Sequence, residues 1–317
     1  MTSEEGERLP YLGMTIIKTT NGYKIMMRSY IEDVLNLYGA EVKPFVTPAK
    51  PNLFGVNKAE RIDGVRFHSV VAKLLYLGKR GRPDILLPIQ FLCTRVKAPT
   101  VEDKRKLEQV LGYLKLTKAW TRVFDKTTFH QVMSFVDASF ATQKDGKGQS
   151  GCMVFLGNTL VHEACKKQKI VTRNSTEAEL VALSDYLEEG AMVEEFLMDI
   201  GGYLDEDLID TPFVLYQDNK PTITLVETGS GKHRTKYMKV RQAYVTERLG
   251  TKELEIKYIH TTKMLADLLT KPLQGEKFHR FAQAALGRLY ASSNRGAKGK
   301  VGMVQTAICP SLKQCRR

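Results

Sequence analysis

The chain has 317 residues, enough for one large domain or two of medium size. With 43% hydrophobic and 26% charged residues, its composition is that of a globular protein and excludes a wholly disordered chain. Lysine and arginine number 48 against 35 acidic residues, a surplus of +13 that points to polyanionic partners such as nucleic acid and says nothing of fold.

The five cysteines, Cys93, Cys152, Cys165, Cys309 and Cys315, form no CxxC pair, which argues against a zinc module and a disulfide framework. A reducing compartment is expected. No apolar run approaches the ~18 residues of a membrane span, and the polar, acidic start is unlike a secretion signal. The expected protein is intracellular and not secreted, with no membrane partner.

In chain order, Met14 to Lys18 and Tyr23 to Met27 flank Asn21-Gly22, which predicts a hairpin. A helix over 30–38 follows, with Ser29 and Glu32 spaced as a capping box and Gly39 as its stop. Pro44, Pro48 and Pro51 mark 40–65 as loop. Helices are predicted over 68–78, 84–96 and 101–117, the last capped by Thr100 and Asp103. The pattern changes near 125. Strands are expected from His130 to Val136, Cys152 to Leu156, Thr159 to Glu163, Phe213 to Tyr216 and Glu255 to His260. A long helix is expected from Thr176 to Ile200, stopped by Gly201-Gly202, with shorter helices over 220–226, 236–248 and 276–287. The stretch 291–317 carries six basic residues and no acid, nearly half the net charge, and is expected to be a disordered tail.

Four carboxylates stand at suggestive places. Asp137 ends an apolar strand, Glu177 lies in the first turn of a helix, Asp218 follows a strand and Asp267 opens a helix. Taken singly, each has an ordinary local role: a glutamate in a first turn complements the helix dipole, and Asp218-Asn219 makes a turn and cap. Taken together, carboxylates at strand ends and helix starts can converge on one rim of a sheet. There they would repel unless cations sat between them, and hard oxygen donors suit two Mg²⁺ or Mn²⁺ ions rather than zinc.

The blocks Phe135-Val-Asp-Ala-Ser-Phe-Ala141, Asn174-Ser-Thr-Glu-Ala-Glu-Leu180, Tyr216-Gln-Asp-Asn219 and His260 to Leu273 resemble the ribonuclease H domain of copia-type retrotransposon polyproteins. Upstream, Tyr11-Leu-Gly13, Ser69 to Leu77, Arg82-Pro-Asp-Ile85 and Tyr113-Leu-Lys-Leu-Thr117 resemble the stretch between the polymerase palm and that domain, with Tyr11-Leu-Gly13 similar to its primer-grip hairpin. The resemblance covers about residues 8–290. It implies an α/β fold, a ribonuclease H-like mixed sheet with flanking helices preceded by a mostly helical thumb or connection segment. The implied domains are 8–122 (primer grip, thumb and connection), 126–290 (ribonuclease H-like) and the basic tail 291–317.

The resemblance also implies the chemistry: metal-dependent hydrolysis of the RNA strand of RNA/DNA hybrids, leaving 5′-phosphate and 3′-hydroxyl ends. Asp137, Glu177, Asp218 and Asp267 are then both catalytic residues and metal ligands. The implied partners are the hybrid and other polyprotein segments (polymerase fingers and palm, integrase), in a cytoplasmic virus-like particle or the nucleus. No Asp-Asp pair occurs, so the polymerase Tyr-x-Asp-Asp motif is missing and no DNA synthesis is expected of this chain. Three departures stand out: Glu163 where the family has tryptophan, Arg234-Thr-Lys-Tyr-Met238 for its Lys-His-Ile, and Phe196-Leu197 for its Trp-Leu.

Secondary candidates surround this set. Lys232, Arg234, Lys236, Lys239 and Arg241 form a basic run that could track a phosphate backbone or simply face solvent. Ser139 and Asn219 are candidates for a sugar 2′-hydroxyl. His260, seven residues before Asp267, is either an auxiliary group for product release or a local strand-end residue. Cys152 has no histidine-centred support as a nucleophile, and Trp120 is expected at a domain junction. Two rival readings are a catalytically inactive or domesticated nucleic-acid-binding remnant and an integrase- or transposase-like nuclease. In the latter the third acid is usually a glutamate well after the second aspartate, whereas here the glutamate comes second.

Overall fold

The computed structural model describes residues 6–57, 59–204, 208–231 and 235–288. In chain order its elements are β1 (Arg8–Tyr11), β2 (Met14–Thr19), β3 (Gly22–Met26), α1 (Arg28–Tyr38), α2 (Gly64–Arg80), α3 (Leu86–Cys93), α4 (Val101–Thr117) and β4 (Arg122–Asp125). There follow β5 (Gln131–Ser139), β6 (Gln149–Leu156), β7 (Thr159–Lys167), α5 (Ser175–Leu204), β8 (Asp210–Gln217), α6 (Lys220–Thr228), α7 (Lys236–Gly250), β9 (Leu254–Tyr258), α8 (Asp267–Thr270) and α9 (Gly275–Ala285). The described residues fall into two compact units, 6–127 with 271–288, and 128–270. The expected tail lies outside the described residues.

In the first unit, β1 to β4 form an antiparallel sheet in the order β1-β2-β3-β4. Its first tight turn is Leu12-Gly13, both at positive φ (47° and 76°) between the paired Tyr11 and Met14. Such a two-residue turn matches the twist of the strands it joins. The predicted Asn-Gly hairpin exists, but Thr19 pairs with Gly22, so Thr20-Asn21 makes the turn and Gly22 is already strand. Gly22 is needed for another reason: a Cβ there would lie 2.0 Å from the Phe124 carbonyl on β4, a strand that the periodicity did not reveal. The predicted capping box on α1 does not form. β3 runs almost directly into the helix, the cap position is Met27, and Ser29 falls inside the first turn, while Glu32 pairs with Arg28 and Lys118. The Thr100–Asp103 box on α4 is present in both directions.

The Arg82-Pro-Asp84 motif and Tyr113 meet in one buried network. Arg82 donates to both Asp84 oxygens (2.9 and 2.7 Å), Tyr113 donates its hydroxyl to Asp84 (2.6 Å), and Arg82 also reaches Thr117. Each buried charge is thus paired and hydrogen-bonded, the condition under which burial of charge is tolerated. Trp120, expected at a junction, packs within this unit, edge-on to Tyr113 and under the guanidinium groups of Arg82 and Arg288. α9, expected with the second unit, belongs to the first. Phe278 meets Tyr113 edge-on, Gln274 donates to the Ala49 carbonyl (2.8 Å) and Val123 donates to the Leu286 carbonyl (2.9 Å).

In the second unit a five-stranded sheet has the order β7-β6-β5-β8-β9. β5, β6 and β7 are antiparallel neighbours, and β5-β8 and β8-β9 are parallel. This is the mixed sheet with flanking helices that the resemblance implies. Alternation along β5 sends Val136 and Ala138 into a core shared with Leu180, Leu183 and Leu187 of α5 and Leu215 of β8. It sends Phe135 the other way, against Phe155 and Tyr216. The predicted glycine stop in α5 fails: the helix runs through Gly201-Gly202 to Leu204. Phe196, standing for the family's tryptophan, is exposed, while Leu197 packs on the core.

Candidate active site

The site stands at one end of the sheet's central strands. Asp137 lies within β5, which runs two residues past it to Ser139, and is fully buried. Asp218 follows β8, the parallel neighbour of β5. Gln217 forms the bend after that strand: its Oε1 accepts from the amides of Asp218 (2.8 Å) and Asn219 (2.9 Å), and Asn219 then caps α6. Asp267, fully buried, opens α8 as predicted.

What lets α8 reach the sheet is Gly151 on β6, the residue paired with Asp137. A Cβ there would lie 2.8 Å from Leu269 Cβ, 2.8 Å from Thr270 Cγ2 and 3.2 Å from the Ala266 carbonyl. Only a residue without a side chain admits the helix so closely. The Leu269 carbonyl accepts from the Cys165 thiol (3.1 Å), and the Thr270 hydroxyl donates to Asp137.

One oxygen from each of Asp137, Asp218 and Asp267 lies within 4.8 Å of the others. Three carboxylates so close, two of them buried, repel strongly unless a cation or protons intervene. All-oxygen donors of this kind fit a hard divalent cation such as Mg²⁺ or Mn²⁺ and fit zinc poorly.

Glu177 is not among the three. Its carboxylate accepts the Arg173 amide (2.9 Å) and its own amide donates to Asn174 Oδ1 (2.9 Å), the local capping role open to any first-turn glutamate. The acid two residues on behaves differently. Glu179 is buried, and its Oε2 accepts from Gln217 Nε2, which also faces the carbonyl of Val136 beside Asp137 (both 3.3 Å). Sequence reasoning passed over it, although one signal was present: Glu179 heads the apolar run Leu180-Val-Ala-Leu183, where a charged residue is seldom buried without purpose.

The nucleic-acid candidates divide. Lys232 and Arg234 lie outside the described residues. Lys236 and Lys239 are exposed on α7. Arg241 is committed to the fold, donating to Asp185 (2.6 Å), to the Val181 carbonyl (3.2 Å) and to the Tyr237 hydroxyl. Ser139 is nearly buried and shares a hydrogen bond with Thr142 (3.0 Å), and the Asn219 side-chain oxygen is spent capping Thr222. His260 caps a short turn through Thr262, the local role. Burial pushes the Cys152 thiol up to about 12, despite the opposing hydrogen bond to Ser134, so it is no nucleophile at neutral pH.

No family model matches the chain. The retrovirus-related Pol polyprotein from transposon RE1 of Arabidopsis thaliana is 29% identical over 286 residues, which cover 88% of this chain and 19% of that protein. Its counterpart from transposon RE2 is 28% identical over 287 residues, with the same coverage. An uncharacterized mitochondrial protein of Arabidopsis thaliana is 32% identical over 177 residues, which cover 55% of this chain and 73% of that protein. The chain thus spans about a fifth of the length of the transposon polyproteins it matches. Among solved structures, LC11-RNase H1, isolated from compost, superposes on 44% of this chain and 93% of its own with 18% identity and a TM-score of 0.34. The foamy viral protease-reverse transcriptase in complex with dsDNA superposes on 81% of this chain and 45% of its own, with 14% identity and a TM-score of 0.47.

Proposed function

Because the homologues of this chain are retrovirus-related Pol polyproteins of plant copia-type transposons, we propose that its second unit is a divalent-metal-dependent endonuclease that hydrolyses the RNA strand of RNA/DNA hybrids. The observation that carries this reading is the convergence of Asp137, Asp218 and Asp267. These three would hold the ions. Bound divalent ions in such a site supply a hydroxide-like water at neutral pH and neutralise charge on the leaving oxygen.

The rest is the work of the chain itself. The buried floor made by Gly151 and Leu269 keeps bulk water from the aspartates on the α8 side. Gln217 fixes the turn that presents Asp218, and the same amide reaches Glu179. Its burial and this link favour Glu179, rather than Glu177, as the fourth acid, placed to orient the water that attacks the phosphodiester. Lys236 and Lys239 are the groups on α7 free to meet a phosphate backbone, which makes α7 the proposed contact for the hybrid. The proposed partners are the hybrid and the remaining segments of a polyprotein. No helix among the described residues is long and apolar enough to cross a membrane.

The test is cleavage of an end-labelled RNA/DNA hybrid by the full chain, with Mg²⁺ and with a chelator. Cleavage in Mg²⁺ alone is expected, leaving 5′-phosphate and 3′-hydroxyl ends. Asp137→Asn should abolish it while leaving the thermal midpoint unchanged or higher, because the substitution removes one of three mutually repelling charges. A parent that binds hybrid but never cuts it would instead identify an inactive binding remnant. An Asp137→Asn variant that cuts normally would dismiss the acidic cluster as the site.

A further inference from the structure

Building on the metal-centre reading, we infer that Thr270 is a positioning residue for Asp137. On this inference α8 delivers, within one turn, a ligand (Asp267) and the group that orients a ligand on another element. The Thr270 side chain is fully buried, and its Oγ1 donates to Oδ2 of Asp137. A hydroxyl has one proton to give. A helical threonine ordinarily spends it on the carbonyl four residues back. Here that carbonyl, on Ala266, is 3.5 Å away, at the limit of a hydrogen bond, and the proton goes to the carboxylate.

The direction of the hydroxyl is fixed by the rest of the side chain. A branched Cβ leaves threonine few rotamers. The methyl carbon is 2.8 Å from where a Cβ on Gly151 would stand, so it sits against the strand position paired with Asp137. The thiol bond from Cys165 to the neighbouring Leu269 carbonyl pins the backbone from which Thr270 projects. The methyl thus seats the residue and the hydroxyl holds one oxygen of Asp137, which stops that carboxylate from swinging. Serine would keep the donor without the seat. Valine would keep the shape without the donor.

The experiment is a Mn²⁺ titration of the full chain, followed by calorimetry and by electron paramagnetic resonance of the free ion, on the parent, Thr270→Val and Thr270→Ser. Partners that hold a metal ligand in place are worth 10–100-fold in metal affinity. Thr270→Val should weaken Mn²⁺ binding by about that factor and raise the Mg²⁺ needed for half-maximal cleavage, with KM for the hybrid unchanged. Thr270→Ser should recover most of the affinity. If the valine variant does not fold, Thr270→Ala carries the same expectation. A donor-less variant that binds Mn²⁺ like the parent, or a serine variant as weak as the valine one, overturns the inference and leaves the metal centre standing. A parent that takes up no Mn²⁺ refutes the metal centre and the inference with it.

Discussion

Replacing Gly151 with alanine adds one methyl group at the point where α8 meets the sheet. The new Cβ would stand 2.8 Å from Leu269 Cβ and from Thr270 Cγ2. Carbon atoms rest at about 3.5–4.0 Å, so α8 must retreat by roughly 1 Å. Neither obstacle is the far end of a flexible chain: one is the root of a side chain and the other a methyl on a branched carbon. Overpacking of this kind costs about 1–3 kcal/mol. At about 2–4 °C per kcal/mol for a unit of this size, the melting midpoint should fall by somewhere between about 2 and 12 °C. The effect on activity should be larger in proportion. Asp267 rides on α8, and a displacement of about 1 Å in a reacting group costs on the order of 100-fold in rate. The assays are thermal denaturation by circular dichroism and hybrid cleavage at saturating Mg²⁺. Gly202→Ala is the control, since a Cβ there meets nothing within 4 Å and sits in helix α5, where alanine is the better residue. A Gly151→Ala protein with the midpoint and rate of the parent would refute the argument that this glycine seats α8.

Two further predictions separate neighbours. Glu177→Gln should retain cleavage and lose less than about 1 kcal/mol, because glutamine can still accept the Arg173 amide as a cap, whereas Glu179→Gln should lose most of the cleavage at similar stability. The opposite pattern in the same assay would return Glu177 to the site. On α7, Lys239→Ala should weaken hybrid binding and lower the slope of log K against log salt by about one. Arg241→Ala should leave that slope alone and cost on the order of 1–2 kcal/mol of stability, since its partner Asp185 is half-exposed. A salt slope that falls in the Arg241 variant would show that the arginine contacts phosphate after all.

The acids at 137, 218 and 267 were legible because each sits where periodicity changes, at a strand end or a helix start, and because their surrounding blocks resemble one family in order. The choice between Glu177 and Glu179 was not legible. The two are separated by one residue on a helix, about 200° apart around its axis, and only the packing of α5 on the sheet says which of them turns inward. Likewise a basic run does not tell which of its members faces solvent; Arg241 is withdrawn by Asp185, a residue 56 positions away.

The sequence by itself determined the kinds of element, their order and most of their extents, since these follow from local periodicity, caps and turn residues acting within a few positions of one another. It missed β4, the path of α9 into the first unit and the true reason for Gly22. Each of these is settled by a partner a hundred residues or more away, as when the Phe124 carbonyl comes to lie against Gly22. It could also place an acid near the end of a strand, but not make a site of it. That took the bare position of Gly151, the seat it gives to α8 and the hydroxyl of Thr270 reaching back to Asp137. The closing of distances across the chain is a property of packing, and only the tertiary structure decides it.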